Sequence, residues 1–298
     1  MTLLLMPHTS HLFEPIDPTV VLATVDWFNT INSIQAKEPQ TYLTREALIM
    51  IAIILFIASL VVSITLGSKL APPTGFDWRV GAIYGLTGFL IFLPSMVIGN
   101  LIPFPPQLFG SSIAWWLTIW GLIVLILSRY LRITGHKIRI ETRDLLYALL
   151  IFAACYVFTS GMEYFFGFGY RLFVPIMRSL TVRQVPSLFM YLPFMLIHFY
   201  SEYCMFKDNL GNLKGFAVSK IGLLTMVILV QYGGFFLLDT VFVSWSIGFI
   251  LEFLIAIIPM ILISILITHY GYRAQRTGLT ILLNALLFSW IAAGLFPY

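Results

Sequence analysis

The chain predicts an all-α polytopic membrane protein, with about eight transmembrane helices preceded by a short strand and an amphipathic helix. Three observations predict it. Hydrophobic residues make up 59% of the 298 and charged residues 10%, with a mean hydropathy of +0.94; soluble domains hold about 45–50% apolar and about 25% charged residues. Apolar runs long enough to cross a bilayer recur along the chain, since a hydrocarbon core about 30 Å thick takes about twenty helical residues. The basic residues fall mainly between these runs.

The first elements are of another kind. Residues 2–6 (TLLLM) form an apolar run of strand length, followed by a loop of Pro7, Thr9 and Ser10 that carries His8 and His11. Asp17 and Pro18 then suit the cap and first turn of a helix, and Val21, Leu22, Val25, Phe28 and Ile31 share one face at helical spacing. One strand and one helix cannot bury a core of their own. The chain therefore divides into 1–34, a linker at 35–46 and a transmembrane domain at 47–298.

The spans are expected at 47–66, 80–102, 108–130, 145–166, 185–206, 216–238, 243–269 and 279–295. Loops after the first, third, fifth and seventh hold twelve of the seventeen basic residues: Lys69, Arg79, Arg129, Arg132, Lys137, Arg139, Arg143, Lys207, Lys214, Lys220, Arg273 and Arg276. By the positive-inside rule these loops face the cytoplasm, which sets a multi-pass cell-membrane protein with both termini extracytoplasmic. Gly81-xxx-Gly85 predicts a close helix approach. Pro94, Pro103, Pro105, Pro106 and Pro259 predict kinks or ends. No internal repeat argues for an inverted-repeat transporter.

Composition also excludes classes. A net charge of +4 with basic residues confined to loops gives no nucleic-acid surface. Cys155 and Cys204 lie in apolar runs, which supports neither a disulfide framework nor a zinc site, and no metal or cofactor is expected. The run ending at Met6 is too short for a cleavable signal peptide. The lipid bilayer is the expected partner.

Ionisable residues at membrane depth are the candidate site, because each is costly in hydrocarbon unless paired. They are Glu163, His198, Glu202 and Glu252, with Arg171 and Arg178 near Glu163 and with Asp239, Lys220, Gln231, Asn100 and Asn284 as further polar groups. His198 and Glu202, four apart, share a helix face; two ligands alone do not make a zinc site. For Glu163 a structural ion pair with Arg171 or Arg178 is the favoured reading, and Glu252 has Lys220 or Asn284 as possible partners.

The opening segment, HTSHLFEP followed by VVLATVDWFNTI, resembles the carboxyl-terminal end of an α/β-hydrolase of the dienelactone-hydrolase kind. The stretch YRLFVPIMRSLTVRQVPSLFMYLPFMLIHFY is similar to the membrane region that follows the hydrolase domain in membrane-fused members of that fold. The resemblance implies that His11 is the catalytic histidine of a complete domain, with nucleophile and acid upstream. No G-x-S-x-G motif occurs in the chain. On this reading the chain is the membrane-anchoring part of such a protein, inactive by itself, with a separately encoded hydrolase domain as a possible partner. Two alternatives stand beside it: a transporter or channel, and an intramembrane enzyme using Glu163, His198 and Glu202. CAAX-type proteases fit poorly, because Met162 precedes a lone Glu163 and Arg171 lies eight residues on.

Overall fold

The computed structural model describes residues 54–107, 110–131, 140–166, 179–238 and 260–295, together with Ala23 and Ile51. The expected strand at 2–6, the histidine loop and the boundaries at 34 and 46 lie outside these; Ala23, within the expected amphipathic helix, is helical. The chain forms two compact units, Met1–Ala58 and Ser59–Tyr298, and the description that follows concerns the second.

All regular structure among the described residues is helical. The helices are α1 (Ile54–Thr65), α2 (Trp78–Leu101), α3 (Gly110–Tyr130), α4 (Thr142–Phe166), α5 (Val185–Phe206), α6 (Leu213–Leu238), α7 (260–273) and α8 (Thr277–Leu295). Four of them, α2, α3, α4 and α8, are long and apolar enough to cross a bilayer, which marks the chain as a membrane protein. The expected count of eight spans is not reached by this measure. Helices α5 and α6 match the four in length, at 22 and 26 residues; α1 and α7 are described over shorter stretches.

Local chemistry explains the ends. The Asp77 side chain accepts a hydrogen bond from the Arg79 amide (2.9 Å) and caps α2. Pro103, Pro105 and Pro106 follow its last turn and stop it, whereas Pro94 and Pro193 lie inside α2 and α5. Both are tolerated where neighbouring helices and lipid make the helical state the only satisfied one.

Helix α5 lies at the centre, packed against α3 and α8; α4 packs on α8, α2 on α3, and α6 on α2. The span of α8 is 83% buried and that of α4 only 17%, so α8 is interior and α4 peripheral. The outward face of α2 presents Leu86, Leu90, Leu93, Val97 and Leu101, while its inward face buries Val80, Tyr84, Gly88, Phe92, Ser95 and Gly99. Apolar side chains on both faces suit a helix with protein on one side and lipid on the other.

Glycines set the closest helix contacts, though not the pair expected. A Cβ on Gly99 would strike the Ser112 backbone of α3, and one on Gly121 would lie 3.0 Å from the His198 Cα of α5. Gly81 faces Ser219 and Gly88 faces Trp120, but Gly85 has open space beside it. The close approach therefore uses Gly81 and Gly88, two turns apart, rather than Gly81 and Gly85.

One end of the bundle gathers the basic loops. Ala71 and Arg273 exchange backbone and guanidinium hydrogen bonds (2.7 and 2.8 Å), Arg276 donates to the Leu66 carbonyl (2.8 Å), and the Asp77 amide donates to Asn209 (2.6 Å). Asp144, at the start of α4, accepts from the Gly278 amide at the start of α8 (3.2 Å). Loops after α1, α5 and α7 thus meet the beginning of α4, as successive antiparallel helices require.

The glycine contacts give a direct contrast. Gly121→Val should destabilise the protein by about 1–3 kcal/mol, because the new side chain meets backbone that cannot step aside. Gly85→Ala should be neutral or slightly stabilising, as glycine is a weaker helix former than alanine. Thermal unfolding in detergent measures both; equal effects of the two substitutions would contradict the packing.

Candidate intramembrane site

Four helices contribute to one buried polar cluster. Glu202, 1% exposed on α5, sits opposite Lys220 of α6, 7% exposed. The Lys220 Nζ donates to Glu202 Oε1 at 3.0 Å, lies 2.9 Å from Oε2, and donates to Ser264 Oγ of α7 at 3.0 Å. The Tyr84 hydroxyl of α2 donates to Glu202 Oε2. The Lys220 ammonium also lies between two rings, 5.6 Å from Phe199 and 5.4 Å from Phe216.

The arrangement answers the electrostatic problem that the sequence poses. Lys220 comes seven residues after the start of α6, about 10 Å along its axis at 1.5 Å per residue. An unpaired charge at that depth costs several kcal/mol. Here one positive and one negative group cancel, and their remaining hydrogen-bonding capacity is taken up by Tyr84 and Ser264.

His198, one turn before Glu202, is the fifth member. Its Nε2 lies 3.9 Å from Glu202 Oε2, beyond hydrogen-bond range. Its ring interacts with the Leu117 backbone, but Nδ1 makes no hydrogen bond of normal geometry. Trp120 covers the imidazole at 4.7 Å between ring centroids and also packs on Tyr84 at 4.4 Å. The two indoles of α3 are anchored on α2: Trp120 donates to the Tyr84 carbonyl (3.2 Å) and Trp116 to the Gly88 carbonyl (2.9 Å). Gly88 makes this possible, because a Cβ there would come within 2.7 Å of Trp120.

Beside the cluster lies a cavity of about 90 Å³ whose walls are mainly Trp116, Trp120, Met195, Phe199, Leu223 and Phe288, with His198, Lys220 and Tyr84 also lining it. Charge and aromatic surface thus meet at one place inside the bundle.

Of the residues singled out from sequence, the structure brings His198 and Glu202 together and adds Lys220, which therefore belongs to the interior and not to the loop where the charge count placed it. Lys220 is bound to Glu202, whereas Glu252, for which the sequence offers Lys220 or Asn284 as partner, lies outside the described residues. Asn284, the other partner offered to Glu252, donates to Thr268 Oγ1 and the Thr280 carbonyl, both at 3.0 Å. His11, Arg171, Arg178 and Glu252, with the side chain of Glu163, lie outside the described residues. Tyr84 and Ser264 carry no signal in the sequence, since neither is ionisable at neutral pH and nothing local distinguishes them from other polar residues in spans.

Among the described residues no group of three or more His, Cys, Asp or Glu is placed to hold a metal ion. Compared with known proteins, the chain matches no family model, no curated protein and no solved structure.

Breaking the pair should be costly. Glu202→Gln leaves Lys220 buried without a counter-charge and should destabilise by about 3–5 kcal/mol, as should Lys220→Met by stranding the carboxylate. The double variant Glu202→Gln/Lys220→Met should recover most of that loss. Unfolding in detergent, or the fraction recovered as monodisperse protein, measures it; additive single-variant losses in the double variant would show the two residues to be uncoupled.

Proposed function

We propose that the chain is the membrane-embedded, anchoring domain of an α/β-hydrolase-type protein and is catalytically inactive by itself. One observation carries the structural side of this reading. The charges at the centre of the bundle are compensated by one another, through Glu202, Lys220, Tyr84 and Ser264, which suits a self-contained membrane body more than an ion pathway, where a charge must stay available to the permeant species. The hydrolase side rests on the resemblance of the first thirty-four residues, with His11 as the general base of a complete domain.

The eight-span arrangement belongs to the same reading. Support comes from the antiparallel succession of α1 to α8 and from the shared end where Lys69, Arg143, Lys207, Arg273 and Arg276 lie on or beside the meeting loops. With that end in the cytoplasm, both termini are extracytoplasmic, and a hydrolase domain joined to the amino-terminal segment acts outside the cytoplasm.

Two experiments test this. Alkaline phosphatase fused after Tyr298 should be active and the same enzyme inserted into the 131–143 loop inactive; the reverse pattern would overturn the orientation. An antibody to the carboxyl-terminal segment, used on native membranes, should detect a polypeptide larger than the 33.8 kDa of this chain, or capture a co-purifying hydrolase that reacts with a fluorophosphonate. A 33.8 kDa species free of any such hydrolase, or p-nitrophenyl ester turnover by the purified chain that is lost in His11→Ala, would defeat the anchoring role.

A further inference from the structure

We infer that the cavity beside the polar cluster is a binding site for the hydroxyl end of an alcohol, with the hydroxyl on His198 and the first carbons among Trp116, Trp120, Phe199 and Phe288. This inference is independent of the hydrolase reading, since it uses only side chains of the bundle.

The hydrogen-bond inventory selects the ligand. The Lys220 ammonium donates to Glu202 Oε1 and to Ser264 Oγ with Glu202 Oε2 2.9 Å away, and the Tyr84 proton goes to Glu202. His198 is the least committed of them, its ring meeting the Leu117 backbone. It is 5% exposed, lines the cavity, and has Nδ1 without a hydrogen bond of normal geometry while Nε2 stands 3.9 Å from the carboxylate. In either neutral tautomer the imidazole offers one donor and one acceptor, and a hydroxyl, being both donor and acceptor, suits whichever nitrogen faces the cavity. A carboxylate at this point would face Glu202 and an ammonium would face Lys220, so the ligand's polar group is neutral.

Volume and wall chemistry set the rest. About 90 Å³, set against about 150 Å³ for an apolar cavity that takes up benzene, suits a hydroxyl and its first carbons. Water is a poor occupant of the greater part of this space, because the aromatic and aliphatic walls give it too few polar partners. Left unfilled, those walls forfeit dispersion contacts that closely packed interiors normally make. The cavity is partly open rather than sealed, so a longer chain can continue beyond it. The alcohol is thus either a short soluble one or the head of a membrane-soluble one.

Brominated probes locate it directly. Crystals of the intact chain soaked in 2-bromoethanol should show the anomalous bromine peak inside the cavity, and 11-bromoundecanol should place its oxygen at His198 with bromine outside the cavity. Entry of both assigns a membrane-soluble alcohol, and entry of the short probe alone assigns a soluble one. In His198→Phe the same occupancy should need about tenfold more of either probe, the loss of one hydrogen bond. Xenon should still enter the cavity of that variant, which reports that the bundle remains folded. Water alone in the wild-type cavity, or undiminished bromine occupancy in His198→Phe, would overturn the assignment; should His198→Phe fail to fold, the wild-type soak decides by itself.

Discussion

A lysine and a glutamate that cancel each other in an apolar interior are the interaction on which this bundle depends. Each would be prohibitive alone at its depth, because transfer of an ion from water to a medium of low dielectric costs far more than any single helix contact returns. Together they are tolerable, and only in one geometry. Glu202 belongs to α5 and Lys220 to α6, while their remaining hydrogen bonds draw in Tyr84 from α2 and Ser264 from α7. Four helices that apolar contacts would let slide against one another are fixed in register by this cluster. In a bilayer that matters more than in water, since lipid tails are as apolar as leucine and give helices no hydrophobic reason to associate.

The backbone contacts around the cluster follow the same logic. Gly121 brings α3 against α5 at the level of His198, and Gly88 lets Trp120 reach α2. The indole N–H groups of Trp116 and Trp120 then find carbonyl acceptors on α2, which would otherwise be hard to provide in a dry interior. Small residues at crossings, large aromatics between them and a compensated ion pair one layer beneath form a single packed unit. Peripheral α4 stands apart from it, touching chiefly α8 and leaving Leu146, Leu149, Leu150 and Val157 exposed for lipid.

Helix positions were largely legible from sequence, because runs of twenty apolar residues bounded by basic or proline residues have few other physical solutions. The expected 185–206 span coincides with α5, and the runs at 80–102, 108–130, 145–166, 216–238 and 279–295 agree with their helices to within a few residues. The site was legible only where it is local. His198 and Glu202 are four apart on one helix, and their common face follows from helical geometry. The partnership of Glu202 with Lys220 was not, because it depends on the rotation of α6 about its axis and on which helices are neighbours. Tyr84 and Ser264 look like ordinary span residues for the same reason. Gly81 and Gly85 share the spacing of an association motif, yet Gly88 makes the contact, since the period says which residues share a face but not which neighbour that face meets.

Trp120 has a position whose consequence is optical. Its indole lies over His198 and against Tyr84, so it is one side chain removed from the carboxylate of Glu202. Indole emission shifts with the local electric field and is quenched by a protonated imidazole in contact with it. A gain or loss of charge in the cluster therefore acts on the emission of Trp120, one of the seven tryptophans of the chain, and through it on that of Trp116 stacked on it.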